Sequence, residues 1–118
     1  MEIRPIAAKD REPLAELLRR IDTFSPPEVS CALELIDLAL TSNKVDYQVL
    51  VATKGDKVVG YVCYGPTPMT EGTFDLYWIA SAPEVRGQGV GGALVAAMEG
   101  DLRKRGARLI QCLPFGQR

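Results

Sequence analysis

The residues best suited to ligand chemistry form one short segment late in the chain, where an arginine precedes a run of glycines. This glycine-rich segment reads Arg86-Gly87-Gln88-Gly89-Val90-Gly91-Gly92. Glycine adopts positive φ at little cost and lets the backbone approach a ligand closely. Free N–H groups at the start of a following helix, together with the positive end of its dipole, suit phosphate groups. The composition therefore predicts a phosphate or pyrophosphate site, and a tight turn at a helix start is the alternative interpretation.

Two known phosphate-binding motifs do not fit this segment. Residues 87–92 formally match G-x-G-x-x-G, but that fingerprint follows the first strand of a domain and precedes an acidic residue about 20 positions further on. Here the segment lies late in the chain, and residues 107–112 contain no acidic residue. A P-loop requires Gly-Lys-Ser/Thr, whereas Gly92 is followed by Ala93 and Leu94. The sequence therefore favours neither a dinucleotide-binding fold nor a P-loop fold.

The chain contains no histidine, which removes several common catalytic arrangements. Ser-His-Asp and Cys-His triads, histidine-ligated zinc and histidine general bases are all excluded. Proton transfer must then be carried by carboxylates, tyrosines, cysteines, lysines, chain termini or water. Cys31, Cys63 and Cys112 are far apart and form no C-x-x-C pair, so we expect reduced, mostly buried thiols and no metal site.

The elements that would hold the glycine-rich segment follow from periodicity and capping signals. Asp10 is predicted to cap a first helix, and Ser25 with Glu28 forms a capping box for a second. Gly106 is predicted to end the helix that the glycine-rich segment begins. Strands are predicted over residues 2–6, 47–53, 58–64, 73–81 and 107–113, and the second and third of them form a hairpin. We expect one domain over residues 1–118, since about 150 residues is a usual domain size.

The glycine-rich segment resembles motif A of the GNAT superfamily, the acyl-CoA-dependent N-acyltransferases, whose signature is Q/R-x-x-G-x-G/A. Arg86-Gly87-Gln88-Gly89-Val90-Gly91 fits every defined position. The preceding residues 79–85 and the order of elements over residues 1–113 also resemble the family. The resemblance implies an α/β (α+β) fold: a mixed, mainly antiparallel central sheet flanked by helices, in the order β-α-α-β-β-β-α-β.

The resemblance also implies an activity, the transfer of an acetyl group from acetyl-CoA, as co-substrate, to a primary amine. The family pairs the pantetheine arm with the main chain that here is Ile79, Ala80 and Ser81. It binds the pyrophosphate with main-chain amides that here belong to Arg86, Gly87, Gln88, Gly89, Val90, Gly91 and Gly92. Glu71 and Asp75 are the nearest candidates for the general base, one of them acting, and for each a solvated acid without a catalytic role is an equal alternative.

The family normally continues beyond this last strand with a further helix and two strands on the acceptor side. We therefore expect a domain that is short at its C-terminus, and an open sheet edge that favours a homo-oligomer such as a dimer. One alternative function is a catalytically incomplete acyl-CoA-binding or interaction module. Another is a nucleotide-binding regulator, in which ATP or NAD would compete with CoA.

Composition sets the remaining expectations. Hydrophobic residues make up 47% and charged residues 25% of the chain, and the formal net charge is −1. These values are typical of a globular domain, and no apolar run approaches the ~20 residues of a membrane span. Without a basic stretch, nucleic acid is not an expected partner. We expect a cytoplasmic protein whose acceptor is a small-molecule or peptide amine, and the acidic N-terminal part favours a cationic one.

Overall fold

The computed structural model describes residues 1–22, 24–41, 47–67 and 71–112. The strands are β1 (Glu2–Pro5), β2 (Gln48–Lys54), β3 (Lys57–Pro66), β4 (Thr73–Ser81) and β5 (Leu109–Cys112), and the helices are α1 (Arg11–Arg19), α2 (Pro26–Leu40) and α3 (Val90–Lys104). Short 3₁₀ turns, Ala8–Asp10 and Pro83–Val85, precede α1 and the glycine-rich segment. The predicted order of strands and helices is confirmed.

The five strands form one mixed sheet in chain order, antiparallel throughout except for the parallel pair β4–β5. Helix α3 lies on the face of β3 that carries Tyr64, whose hydroxyl donates to Asp101 of α3 at 2.6 Å. On the opposite face, the ring of Trp78 meets Phe24, between α1 and α2, edge-on with 5.4 Å between ring centroids. Helices therefore flank both faces of a mainly antiparallel sheet, as the resemblance implied.

The start of α2 has the capping box that the sequence predicts. The Ser25 hydroxyl accepts the Glu28 N–H at 3.3 Å, and the Glu28 carboxylate accepts the Ser25 N–H at 2.9 Å. Pro26 occupies the first helical position, where its missing N–H costs nothing. Each box bond satisfies a donor that the helix itself leaves open.

The prediction that the Asp10 side chain caps α1 is wrong. Asp10 does precede Arg11, but its carboxylate accepts no hydrogen bond from α1. It accepts instead from the Ala7 N–H at 2.7 Å and from both terminal nitrogens of Arg4 at 2.7 and 2.9 Å. Because the Asp10 backbone is already in the right-handed helical region, its side chain closes the preceding 3₁₀ turn and ties it to β1.

The last strand begins two residues later than predicted. Gly106, at φ +79°, ends α3 in a Schellman motif: its N–H donates to Arg103 O, and the Ala107 N–H donates to Leu102 O at 3.0 Å. Gly106 and Ala107 are thus held by the helix, and Arg108 is the first residue to bond the chain at β4, donating to Gly72 O at 2.6 Å. Residue 113, the predicted end of this strand, lies outside the described residues.

Gly60 allows α3 to approach β3 closely. A Cβ atom at this position would lie 2.9 Å from Ala80 O, 3.0 Å from Val90 Cγ1 and 3.2 Å from Leu94 Cδ1. Val90 and Leu94 belong to the first turns of α3, so the missing side chain sets where that helix begins relative to the sheet. The sequence analysis assigned Gly60 no role, because the atoms it accommodates are remote in sequence.

We expect Gly60→Ala to lower the free energy of unfolding by about 1–3 kcal/mol, the range for overpacking a close-packed site. Gly100→Ala is the matched control, because its added Cβ meets nothing within 4 Å. That change should stabilise α3 by up to about 1 kcal/mol, since alanine is the better helix former. Urea unfolding of both variants measures the difference, and a Gly60→Ala midpoint equal to that of the wild type would contradict the close approach.

Asp10 should make the free energy of unfolding depend on pH in the acidic range. The Arg4 guanidinium, followed by the Ala7 N–H, holds the pKa of this buried carboxyl below its ordinary value of 3.8. Its stabilisation is therefore complete above about pH 4 and is lost as the pH falls through the lower folded-state pKa. We expect Asp10→Asn to cost about 1–3 kcal/mol at pH 7, with the cost shrinking below pH 4. Urea unfolding at a series of pH values tests this, and a cost that stays constant down to pH 2 would contradict it.

Candidate functional site

The glycine-rich segment forms a tight connection between β4 and α3. The Ala82 N–H donates to Val59 O at 2.8 Å, which holds the chain against β3 as it leaves the sheet. Gly87 and Gly89 then adopt φ +81° and +80°, and Gly89 is the N-cap residue of α3. Added Cβ atoms at either glycine would meet nothing within 4 Å. The requirement for glycine here is therefore backbone conformation rather than space.

The seven predicted amides divide into two groups. Those of Arg86 and Gln88 close the segment on itself, donating to Pro83 O at 3.3 Å and to Val85 O at 3.1 Å. The other five donate to no atom of the described chain; they belong to Gly87, Gly89, Val90, Gly91 and Gly92. The first turn of α3 contains no acidic residue. Five open donors therefore lie within six residues at the positive end of the α3 dipole, an arrangement suited to a phosphate or pyrophosphate.

A β-bulge interrupts β4 at Tyr77. Cys63 of β3 pairs with Trp78 and the next residue, Tyr64, pairs with Leu76, so Tyr77 is the extra residue. A bulge bends its strand and increases the local twist. Within the described residues, β4 and β5 form four residue pairs, the last of them Leu76 with Cys112. The parallel contact in the described chain therefore ends where β4 bends.

Beyond the bulge, β4 leads directly to the glycine-rich segment. Ile79, Ala80 and Ser81 pair with β3 along one edge of the strand, opposite Val62, Tyr61 and Gly60. Their other edge extends past the described pairing with β5. Such a backbone edge can hydrogen-bond an extended ligand as an added strand would. The three residues predicted for pantetheine are thus separated from the five open amides by the single 3₁₀ turn Pro83–Val85.

The two candidate acids occupy different environments. Glu71 is exposed in the turn before β4, whereas Asp75 lies within β4 and is 5% exposed. Asp75 pairs with Gly65 of β3 and with Gln111 of β5, and its Oδ1 accepts no hydrogen bond within the described chain. A buried carboxylate oxygen without a donor costs stability. Asp75 is therefore not a solvated strand-end charge, whereas Glu71 retains that description.

Two tyrosines near the bulge differ in their surroundings. The ring of Tyr77 packs against Tyr47, with 5.6 Å between centroids and 54° between planes. Tyr64 lies on the other face, where burial, followed by its hydrogen bond to Asp101, raises the pKa of its hydroxyl. The hydroxyl of Tyr64 thus helps to hold α3 on the sheet. The ring of Tyr77, the bulged residue, is instead in contact with Tyr47.

A polar network surrounds the outer side of the glycine-rich segment. The Glu84 carboxylate accepts from Lys57 Nζ at 2.7 Å and from Arg20 Nη1 at 3.0 Å. The side chain of Gln88 accepts a hydrogen bond from Lys54 Nζ and donates to Glu84 O at 3.4 Å. The Lys57 hydrogen bond above all lowers the pKa of Glu84 to about 2. Sequence analysis missed this network, because its members come from the end of α1, the β2–β3 hairpin, the Pro83–Val85 turn and the segment itself.

The described residues form neither a metal-binding cluster nor a membrane-spanning helix. No group of three or more histidine, cysteine, aspartate or glutamate side chains is placed to hold a metal ion there. No helix of residues 1–22, 24–41, 47–67 or 71–112 has the length and apolarity to cross a membrane.

Comparison with known proteins places this geometry in a family. Residues 12–115 match the model of the acetyltransferase (GNAT) family. A GNAT-family protein from Desulfovibrio desulfuricans is 39% identical, and the alignment covers 94% of this chain and 71% of that one with a TM-score of 0.88. No curated protein matches the sequence.

Two more distant structures share the fold and contain the donor or its product. A GNAT-family acetyltransferase from Brucella melitensis in complex with acetyl-CoA is 24% identical, with a TM-score of 0.77 over 96% of this chain and 75% of that one. The PaiA N-acetyltransferase from Thermoplasma acidophilum in complex with coenzyme A is 20% identical, with a TM-score of 0.70 over 92% and 77%.

Proposed function

Because this chain belongs to the GNAT acetyltransferase family, we propose that it transfers an acetyl group from acetyl-CoA to a primary amine. The observation that carries the proposal is the set of five open amides at the start of α3, at residues 87 and 89–92. They offer the donors that a pyrophosphate requires, and the β4 edge beside them offers the donors and acceptors that a pantetheine arm requires.

We propose that acetyl-CoA is bound by main-chain groups rather than by side chains. The pyrophosphate would be held by the N–H groups of residues 87 and 89–92, with the α3 dipole behind them. The pantetheine amides would extend β4 along Ile79, Ala80 and Ser81, which points the thioester toward the bulge at Tyr77. Holding donor and acceptor together there supplies much of the rate enhancement, since the reaction becomes effectively unimolecular.

The chemical step then needs a proton acceptor and a site for developing charge. The amine nitrogen attacks the thioester carbonyl, a C–N bond forms, the C–S bond breaks and CoA leaves as the thiolate. Main-chain N–H groups along β4 are suited to stabilising the oxyanion. The amine must arrive neutral, so a base removes its ammonium proton, and the thiolate takes up a proton as it leaves.

We assign the general base to Asp75. Its carboxylate is buried two residues before the bulge, and its Oδ1 has no donor in the described chain. A buried, unpaired carboxylate oxygen is available to accept a proton from a bound cation and would also attract one. The acceptor that suits it is a cationic small-molecule or peptide amine. Glu71, which is exposed, is the alternative base.

Acetyl-CoA should bind the wild-type protein in a calorimetric titration, and Gly89→Glu should weaken that binding at least about tenfold, or 1.4 kcal/mol. The new side chain disfavours φ +80° at Gly89 and brings a carboxylate to an anion site. Gly100→Glu adds the same charge to the same helix away from the segment and should bind normally. Absence of binding by the wild type would contradict the proposed function, and displacement of CoA by ATP or NAD would favour a nucleotide regulator.

Asp75→Asn should lower kcat by about 10²–10⁴-fold, the usual contribution of a positioned base, while acetyl-CoA affinity stays within about twofold. Turnover is followed as CoA thiol release with lysine, spermidine, kanamycin and a short peptide as acceptors. A comparable loss in Glu71→Gln alone would move the base to Glu71, and acetyl-CoA binding without turnover of any amine would indicate a catalytically incomplete binding module.

A further inference from the structure

We propose that Glu84 is a positioning residue: without touching the donor, it fastens the glycine-rich segment to α1 and to the β2–β3 hairpin, and so sets the affinity for acetyl-CoA. The inference rests on the proposed function for its donor. Glu84 lies outside the glycine-rich segment. If it holds the segment in place, its loss should weaken acetyl-CoA binding, whereas an effect of charge alone would strengthen that binding.

The first support is where the segment is held. Lys54 and Lys57 are register partners that flank the turn of the hairpin. Lys57 bonds the Glu84 carboxylate at 2.7 Å, and Lys54 bonds the side-chain oxygen of Gln88. One hairpin therefore holds the chain at two points four residues apart, Glu84 just before the glycine-rich segment and Gln88 within it. The residues between these points include Gly87, which carries the first open amide.

The second support is the additional link to α1. Arg20, directly after α1, donates to both carboxylate oxygens of Glu84 at 3.0 and 3.3 Å. Glu84 lies in the 3₁₀ turn Pro83–Val85, which connects β4 to the segment. A displacement of this turn would therefore have to break contacts with two separate elements. The Glu84 main-chain oxygen also accepts from the Gln88 side chain at 3.4 Å, so the network closes on the segment itself.

The third support is that the segment needs such fastening. In the described chain, only two of its N–H groups donate to backbone, those of Arg86 and Gln88 at 3.3 and 3.1 Å, and two of its glycines adopt positive φ. Glycine loses more conformational freedom on ordering than any other residue. A ligand that had to order the segment on binding would lose affinity, so contacts that hold it ready in advance strengthen binding.

An electrostatic alternative predicts the opposite sign. Arg20 and Lys57 are cations near an anion site, and Glu84 neutralises part of their charge. If these cations acted on the donor by their charge alone, Glu84→Gln would raise the local positive potential and strengthen acetyl-CoA binding. Loss of the fastening contacts instead weakens binding. The two accounts are separated by the direction of a single measurement.

The test is acetyl-CoA binding and turnover by Glu84→Gln, Lys57→Met and the double variant, with Glu12→Gln as control. Glu12 is an exposed acid of α1 whose side chain is paired only with its neighbour Arg11 among the described residues. We expect Glu84→Gln to raise the dissociation constant and the KM for acetyl-CoA by about 5- to 20-fold, with kcat within twofold. The double variant should lose no more than Glu84→Gln alone, because both residues act through one contact.

Unchanged or tighter binding by Glu84→Gln would overturn the proposal. Independent, additive losses from Lys57→Met would also overturn it, because they would indicate a direct action of Lys57 on the donor. A loss confined to kcat would overturn it as well.

Hydrogen exchange in the ligand-free protein separates this inference from the proposed function. The amides of Val85, Arg86 and Gln88, which close the turn and the segment, should exchange faster in Glu84→Gln than in the wild type and in Glu12→Gln. If the wild type binds no acetyl-CoA, the proposed function fails, and the exchange rates still decide whether Glu84 fastens the segment. Unchanged exchange would overturn the inference, and so would faster exchange with unchanged acetyl-CoA affinity in a protein that binds the donor.

Discussion

The contact between Gly60 and the first turns of α3 is the constraint on which the candidate site depends. An anion site made of main-chain amides needs a helix start that is firmly seated yet leaves its donors open. Gly60 lets Val90 and Leu94 reach the sheet, so the apolar side chains of α3 anchor the helix while its first N–H groups make no bond within the described chain. The helix is fixed by its buried side, and the ligand is offered the exposed end of its backbone.

The bulge at Tyr77 gives the sheet a second essential feature. Before it, β4 is paired on both sides and carries the buried Asp75; after it, β4 continues toward the glycine-rich segment beyond the described pairing with β5. A regular strand would keep all nine residues of β4 in one ladder. A single inserted residue instead separates a half of β4 that is paired on both sides, where the Asp75 carboxylate is shielded, from a half whose second edge extends beyond the described pairing with β5.

Local signals in the sequence were sufficient for much of this architecture. The Ser25 capping box, the Gly106 helix end and the glycine-rich segment each depend on residues within a few positions of one another, and the structure has all three. Features that join distant segments escaped prediction: the clearance at Gly60, the bulge opposite Cys63 and the contacts of Glu84 with Lys57. Asp10 illustrates the same limit, because its carboxylate bonds β1 rather than the helix it precedes. The sequence offered Asp75 and Glu71 as equal candidates for the general base. The structure distinguishes them, because Asp75 is buried and Glu71 is exposed.

The position of Trp78 has a practical consequence. It is the chain's only tryptophan, and its side chain is 2% exposed. It lies between the bulged Tyr77 and Ile79, at the start of the part of β4 that follows the bulge. Its indole is clamped edge-on against Phe24, between the two helices on the far face of the sheet. The protein thus contains a single tryptophan whose backbone adjoins the candidate site and whose ring is buried in the core. Its emission can report on occupancy and on unfolding without any label.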